Sequence, residues 1–230
     1  MISLYGAHSE KRAAMSEHSY PYPRPALTVD VIILRWYRGA LQALLIERDR
    51  EPFKGSLALP GGFVDAGESL REAAARETVE ETHIHVDADA LIEVGSFADP
   101  GRDPRGWTIS VAFVALLQET QEARAGDDAA RTAWISWSEL IDQRHPLAFD
   151  HQQILASAHA HLTTITLTSP ELLAILPSPF RVRDARHLYR QITQREISPR
   201  VFKAWLRRGE ALERVRRALY KARATLKRPW

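Results

Sequence analysis

The chain contains no cysteine. Disulfides and thiolate zinc sites are therefore excluded, and cysteine usage gives no guide to the redox compartment. No apolar run approaches the roughly 20 residues that a membrane-spanning helix needs. The longest, around Val31 and Leu34, reads as a strand. The first 24 residues lack a continuous apolar core, so they do not resemble a secretory leader. They are polar and punctuated by proline, which predicts a flexible arm over residues 1–24. A cytoplasmic location is the default expectation. The remaining composition, 45% hydrophobic and 26% charged over 230 residues, suits one large globular domain or two small ones.

Basic residues are scarce in the first part of the chain and abundant in the last. Residues 1–180 carry 15 Lys/Arg against 25 Asp/Glu, a net of −10; residues 181–230 carry 16 against 4, a net of +12. An acidic body with a basic segment suggests two units with different partners, the basic one suited to a polyanion such as DNA or RNA. A solvated basic tail is the alternative.

Residues 27–36 are rich in β-branched side chains, followed by a turn at Arg38-Gly39 and a second apolar run over 41–47, which predicts a β-hairpin. Pro60-Gly61-Gly62 interrupts an extended piece over 56–59 that resumes at Phe63-Val64. Residues 69–82 predict a helix capped by Ser69. Strands follow over 92–97, 107–117 and 133–137, then a helix over 149–162. This order suits an α+β chain with a mixed sheet sandwiched between helices. Beyond Thr163 the pattern turns helical. A helix is predicted from Ser169-Pro170-Glu171 to before Pro177. A second is predicted over 183–192, with Ala185, Leu188, Tyr189 and Ile192 on one face. A third starts at Ser198-Pro199, with Val201, Phe202, Trp205 and Leu206 on one face. The predicted units are 25–163 and 164–230.

The helix over 69–82 carries the strongest chemical signal. Its apolar stripe begins with Leu70, Ala73 and Ala74, yet at 100° per residue it continues into Glu77 and Glu81, with Glu80 beside them. Clustered, partly buried carboxylates repel one another and need cations. Oxygen-only ligands favour Mg²⁺ or Mn²⁺. Arg76 can pair with a glutamate, Glu72 at i−4 being one candidate. A solvated helix also explains Arg-Glu-x-x-Glu-Glu alone, but not its spacing to what precedes it. Gly62, five residues, Glu68, seven residues, Arg76-Glu77, two residues, Glu80-Glu81 reproduces the signature of the Nudix hydrolase superfamily, which this segment resembles.

That resemblance implies a loop–helix–loop that binds a divalent metal and positions a diphosphate. Glu77, Glu80 and Glu81 would be metal ligands, with the Gly62 carbonyl as another; Glu68 would support the catalytic cluster and Arg76 would orient it. Water activation falls either to a glutamate of the cluster or to one outside it. Two positions depart from the family pattern: Thr78 replaces a bulky aliphatic residue and His83 replaces glycine. The strings at 51–55, 57–63, 99–106 and 147–151 resemble the ADP-ribose-binding branch. There Arg102 and Arg105 would grip phosphate or ribose, unless they belong to a solvated turn. His151 reads as structural rather than as a base.

The combination with the C-terminal segment, from Phe180-Arg-Val-Arg to Ser198-Pro-Arg-Val-Phe-Lys, resembles the Nudix-related transcriptional regulators of NAD metabolism. These fuse an ADP-ribose-sensing Nudix domain to a winged-helix domain. The resemblance implies a recognition helix from Ser198 that buries Phe202, Trp205 and Leu206 and presents Arg200, Lys203, Arg207 and Arg208 to double-stranded DNA. It implies a wing over 214–227 with a returning strand at 218–221, and a homodimer. The family has a longer wing and an asparagine near Val201. The expected function is a repressor of NAD-metabolism genes responsive to ADP-ribose or a related nucleotide. Alternatives are a Mg²⁺-dependent pyrophosphohydrolase on ADP-ribose or a similar nucleoside diphosphate, a Nudix enzyme acting on RNA ends, and a helical oligomerisation unit at the C-terminus.

Overall fold

The computed structural model describes residues 21–118, 121–126, 129–208, 212–216 and 219–222. Residues 1–20 of the predicted arm, and 217–218 and 223–227 of the predicted wing, lie outside the described residues. No helix among the described residues is long and apolar enough to cross a membrane.

Strand β1 (Ala26–Tyr37) is the axis of the sheet. It pairs antiparallel with β2 (Ala40–Arg48) at its C-terminal half and with β4 (Gly61–Phe63) at its start, where Asp30 stands opposite Gly61. On its other side it runs parallel to β6 (Thr108–Leu117) over ten residue pairs. With β3 (Leu57–Ala58), β5 (Ile92–Phe97) and β7 (Ala129–Ser136) the sheet has seven strands, in the order β3-β2-β1-β6-β5, with β4 on β1 and β7 on β2. The predicted hairpin closes through Arg38 (φ 49°) and Gly39 (φ 84°), both left-handed, as a two-residue turn between twisted strands requires.

Alternation along β1 sends its two apolar sets to opposite layers. Val29, Val31 and Ile33 join Val111 and Phe113 under Ala73 and Ala74 of α1 (Leu70–Thr82). Ile32 and Leu34 join Ala112 and Val114 against Trp137 of α2 (Trp137–Ile141) and Ile154, Leu155, Ala158 and Leu162 of α3 (His151–Thr168). The sheet is therefore covered on both faces, as expected from the sequence.

Helix α1 starts in a capping box: the Ser69 hydroxyl accepts from the Glu72 N–H, and the Glu72 carboxylate accepts from the Ser69 N–H at 2.8 Å. It stops at His83, which keeps the left-handed exit (φ 58°) despite not being glycine, at a cost of about 1–2 kcal/mol. The carbonyls of Glu81 and Thr82 are capped by the N–H groups of Gly126 and Arg124, both at 2.9 Å, so the exit is held from outside. Thr78 is fully buried, and its hydroxyl donates to Ala74 O at 2.7 Å, which accounts for a polar residue at an aliphatic position.

Several element predictions change; the strand expected over 133–137 is β7, which starts at Ala129 and ends at Ser136, where α2 takes over at Trp137. Helix α3 begins at His151 rather than 149, because Phe149 is left-handed (φ 53°). It also runs through the predicted boundary at 163/164 to Thr168, since no helix breaker intervenes before Pro170. The predicted helix from Ser169 is only a 3₁₀ turn, Glu171–Ile175, ending where Leu176 N–H bonds Leu173 O. Five residues leave no room for a settled α-helix.

Strand β8 (Phe180–Arg181) precedes α4 (Val182–Thr193), α5 (Pro199–Arg208), β9 (Leu212–Arg216) and β10 (Leu219–Ala222), with sheet order β8-β10-β9. Two helices with a three-stranded sheet, among the described residues, are consistent with the expected winged-helix plan. Helix α4 buries Ala185, Leu188, Tyr189 and Ile192 as predicted. Helix α5 buries Phe202 and Leu206, and Phe202 meets Tyr189 edge-on with ring centroids 5.7 Å apart. Val201 does not share that face: it stands 100° around from Phe202 and is 57% exposed.

The helical unit is joined to the sheet through shared core and polar clamps. One buried cluster runs from Ile32 to Leu206. Gln191 of α4 accepts from Leu41 N–H at 2.7 Å and donates to Gly39 O at 3.0 Å, gripping the β1–β2 turn. The Trp36 ring meets His187 at 5.7 Å, and Thr163 of α3 donates to Ile192 O at 3.3 Å.

Candidate functional site: a carboxylate helix on a glycine turn

The turn at Pro60-Gly61-Gly62 brings bare backbone against β1 and α1. A Cβ on Gly61 would sit 2.0 Å from Val29 O, and one on Gly62 would sit 2.5 Å from the Glu77 carboxylate. At Gly61 the neighbour is backbone, so only glycine permits this approach, and its φ is 155°; at Gly62 a side chain would push the Glu77 carboxylate aside. The Gly61 N–H donates to Glu81 Oε2 at 2.9 Å, anchoring a buried carboxylate at the turn.

Arg76 gathers the rest. It donates to Glu68 at 2.7 and 3.1 Å, Glu77 at 2.8 Å, Glu80 at 3.0 Å and Phe63 O at 3.0 Å. Glu72, the i−4 candidate, is instead spent on the cap. The hydrogen bond from Arg76 holds the Glu68 carboxyl below its ordinary range, against burial and with help from the Asp65 N–H. Burial pushes the Glu77 carboxyl up more than Arg76 pulls it down, and the nearby charges of Glu80 and Glu68 add to the rise. The Glu68 bond in turn keeps Arg76 firmly protonated.

A divalent cation suits this donor set. All the side-chain donors are oxygens, Glu77 is half-buried at a cost that positive charge relieves, and the Gly62 cradle leaves its carboxylate room. Among the described residues, no three acidic or histidine side chains already converge on one point. The glutamates converge on Arg76 instead, so a cation held by Glu77 and Glu80 would compete with that guanidinium for them.

Beside the glutamates, a cleft is lined by Thr28, Asp30, Gly61, Gly62, Arg102 and Arg105, among others. Asp30 is its buried hub. Burial raises its carboxyl, but His151, the Ser110 hydroxyl at 2.5 Å and Arg102 outweigh that and hold it below the ordinary value of 3.8. Leu59 N–H donates to His151 Nδ1 at 2.9 Å, so the ring proton sits on Nε2 and faces Asp30 Oδ1 at 3.2 Å. Both ring nitrogens are committed, which gives His151 a structural task. Arg102 is 5% exposed and forks onto Asp150 at 2.7 and 2.8 Å. Arg105 is half-exposed, paired to Asp103 at 2.7 Å and stacked over Phe63 at 5.0 Å.

The structure thus gathers Gly62, Glu68, Arg76, Glu77, Glu80 and Glu81 in one cluster, with Arg102 and Arg105 at the adjoining cleft. Arg200 and Lys203 are exposed on α5, a separate element; the Arg207 and Arg208 side chains lie outside the described residues. Sequence reasoning missed Asp30, Asp103 and Asp150. Asp30 had a signal, being the one acid within the apolar run of β1.

These features define a Nudix protein, and the chain belongs to that family: it matches the NUDIX domain over residues 25–158. It is 31% identical over 205 residues to the ADPR responsive transcriptional repressor NtrR of Acinetobacter baylyi, covering 88% of this chain and 80% of that protein. It is 42% identical over 157 residues to an ADP-ribose pyrophosphatase of Methanocaldococcus jannaschii, covering 67% and 86%. The crystal structure of Shewanella oneidensis NrtR complexed with a 27mer DNA matches with a TM-score of 0.69 at 25% identity, covering 86% of this chain and 93% of that one.

The depressed Asp30 carboxyl predicts a pH dependence. Its stabilisation is complete above pH 3.8 and is lost as pH falls through the lower folded value. Asp30→Asn should cost about 1–3 kcal/mol at neutral pH. Its Tm should also fall less steeply than the wild type's as pH drops below about 4. Parallel Tm–pH curves for the two proteins would contradict the assignment.

Proposed function

We propose that the chain is a transcriptional repressor that senses ADP-ribose or a related nucleoside diphosphate through its Nudix site and binds double-stranded DNA through α5. Its sensing unit runs from 25 to the end of α3 at Thr168, a few residues past the expected 163/164 boundary, and its winged-helix unit follows. The observation that carries this reading is the join between the two sites. Strand β1 lines the cleft at Thr28 and Asp30, and its far end is the turn gripped by Gln191 of α4. Helix α4 in turn supports α5 through Tyr189. A ligand that shifts one end of β1 therefore acts on the support of the DNA helix. The similarity to NtrR and NrtR over most of both chains supports the same reading. Homodimerisation, a cytoplasmic location and control of NAD-metabolism genes belong to this proposal.

At the site, Glu77, Glu80, Glu81 and the Gly62 carbonyl would hold Mg²⁺ or Mn²⁺. The bound ion would neutralise diphosphate charge and polarise the phosphoryl oxygens. Arg76 holds the glutamates in register. Arg105 exchanges its bond to Asp103 for a phosphate, while Arg102 keeps the cleft wall fixed to α3. The test is the affinity of the full chain for a duplex selected from a random library, measured with and without ADP-ribose and Mg²⁺. The expected result is a weakening within the roughly 5–150-fold range of such couplings. ADP-ribose that binds but leaves DNA affinity unchanged would sink the sensor reading.

A second reading, a Mg²⁺-dependent pyrophosphohydrolase on ADP-ribose, is favoured by one observation: the carboxylate set is complete, including the buried Glu81. In that case turnover falls within about 1–10³ s⁻¹. Glu81→Gln should then cut it by at least the roughly 10–100-fold that losing a metal-site partner costs. Unchanged turnover in that variant would remove Glu81 from the reaction.

A further inference from the structure

Helix α5 presents an apolar patch inside a cationic face. Val201 is 57% exposed and its i+3 neighbour Ala204 is also exposed, while Arg200 and Lys203 stand exposed beside them. The helix contains no acidic residue. Its packing is completed without Val201, by Phe202, Leu206 and the half-buried Trp205. The valine lies in the first turn, where the Ser198 hydroxyl accepts its N–H at 3.3 Å. A β-branched side chain in a helix keeps essentially one χ1 rotamer, so Val201 is a rigid apolar probe.

The surroundings decide what such a probe meets. A second copy of this helix would bring Arg200 and Lys203 against like charge, which is costly. Phosphates lining a groove complement the same charges. On base edges in the major groove of B-form DNA the thymine 5-methyl is the apolar group, and the first turn of a recognition helix is the part that reaches those edges. Duplex RNA offers no such approach, because its major groove is deep and narrow.

We propose that Val201, with Ala204 beside it, reads the 5-methyl group of thymine, while Arg200 and Lys203 hold phosphates or neighbouring base edges. This inference rests on the DNA-binding reading above. It identifies an apolar determinant of sequence choice and predicts a thymine in each half-site opposite the start of α5.

The test uses the full chain. Duplexes are selected from a random-sequence library, and the best is resynthesised with each thymine replaced singly by deoxyuridine, which removes only the methyl group. At one or more positions the wild type should lose about fourfold in affinity, the worth of one buried methyl or methylene. Val201→Ser, which changes an exposed residue and should leave the Tm unaltered, should respond less than about twofold at the same positions. A wild type that binds its selected duplex but is indifferent to every uracil overturns the inference, as does a Val201→Ser variant with the full uracil response. Failure to retain any duplex above random DNA instead overturns the regulator reading on which the inference stands.

Discussion

The carboxylates of α1 rest on backbone that has no side chain to keep them away. Gly61 lies so close to Val29 O, and Gly62 so close to Glu77, that a methyl group at either place would displace its neighbour. This close contact lets α1, β4 and β1 meet, and Arg76 makes it tolerable. One guanidinium binds three glutamates and the Phe63 carbonyl, so it offsets repulsion that would otherwise push the helix away from the turn. A buried charge cluster is weak evidence for stability in itself. Here its value lies in holding acidic groups together at the turn, where the proposed cation and diphosphate would meet them.

Two continuous elements, each closed by hydrogen bonds at its far end, lead from that site to the C-terminal helices. The first is β1, whose start lines the cleft and whose end turns into the hairpin held by Gln191. The second is α3. Its N-cap Asp150 and first residue His151 bind Arg102, Leu59 and Asp30 around the cleft, while Thr163 further along it bonds Ile192 O of α4. Rigid elements with one end at each site are the physical means by which a ligand can bias a distant surface. The shared core from Ile32 to Leu206 leaves little freedom for the helical unit to move without the sheet responding.

Local signals in the sequence were legible wherever short-range rules decide the outcome. The Ser69 cap, the Arg38-Gly39 hairpin, the α4 stripe and the Nudix spacing all follow from periodicity, turn chemistry or fixed intervals. What escaped depends on partners distant in the chain. Arg76 prefers Glu68, eight residues away across the turn, to the helical neighbour Glu72, because Glu72 is taken by the cap. Asp30 finds Ser110 and His151 only once β1, β6 and α3 are assembled. Val201 matches an apolar stripe by composition, yet the packed face closes on Phe202 and Leu206 without it. His83 shows the converse: a residue unsuited to a left-handed exit adopts it, because Arg124 and Gly126 cap the carbonyls just before it.

In the proposed regulator the Nudix site and α5 form one thermodynamic system, which makes their coupling reciprocal. Calorimetric titration of ADP-ribose with Mg²⁺ into the free full-length chain, and into the chain saturated with its selected duplex, gives two affinities. DNA should weaken ADP-ribose binding by the same factor by which ADP-ribose weakens DNA binding. Equal ADP-ribose affinity in the two titrations would show that the sites are independent and would contradict the account.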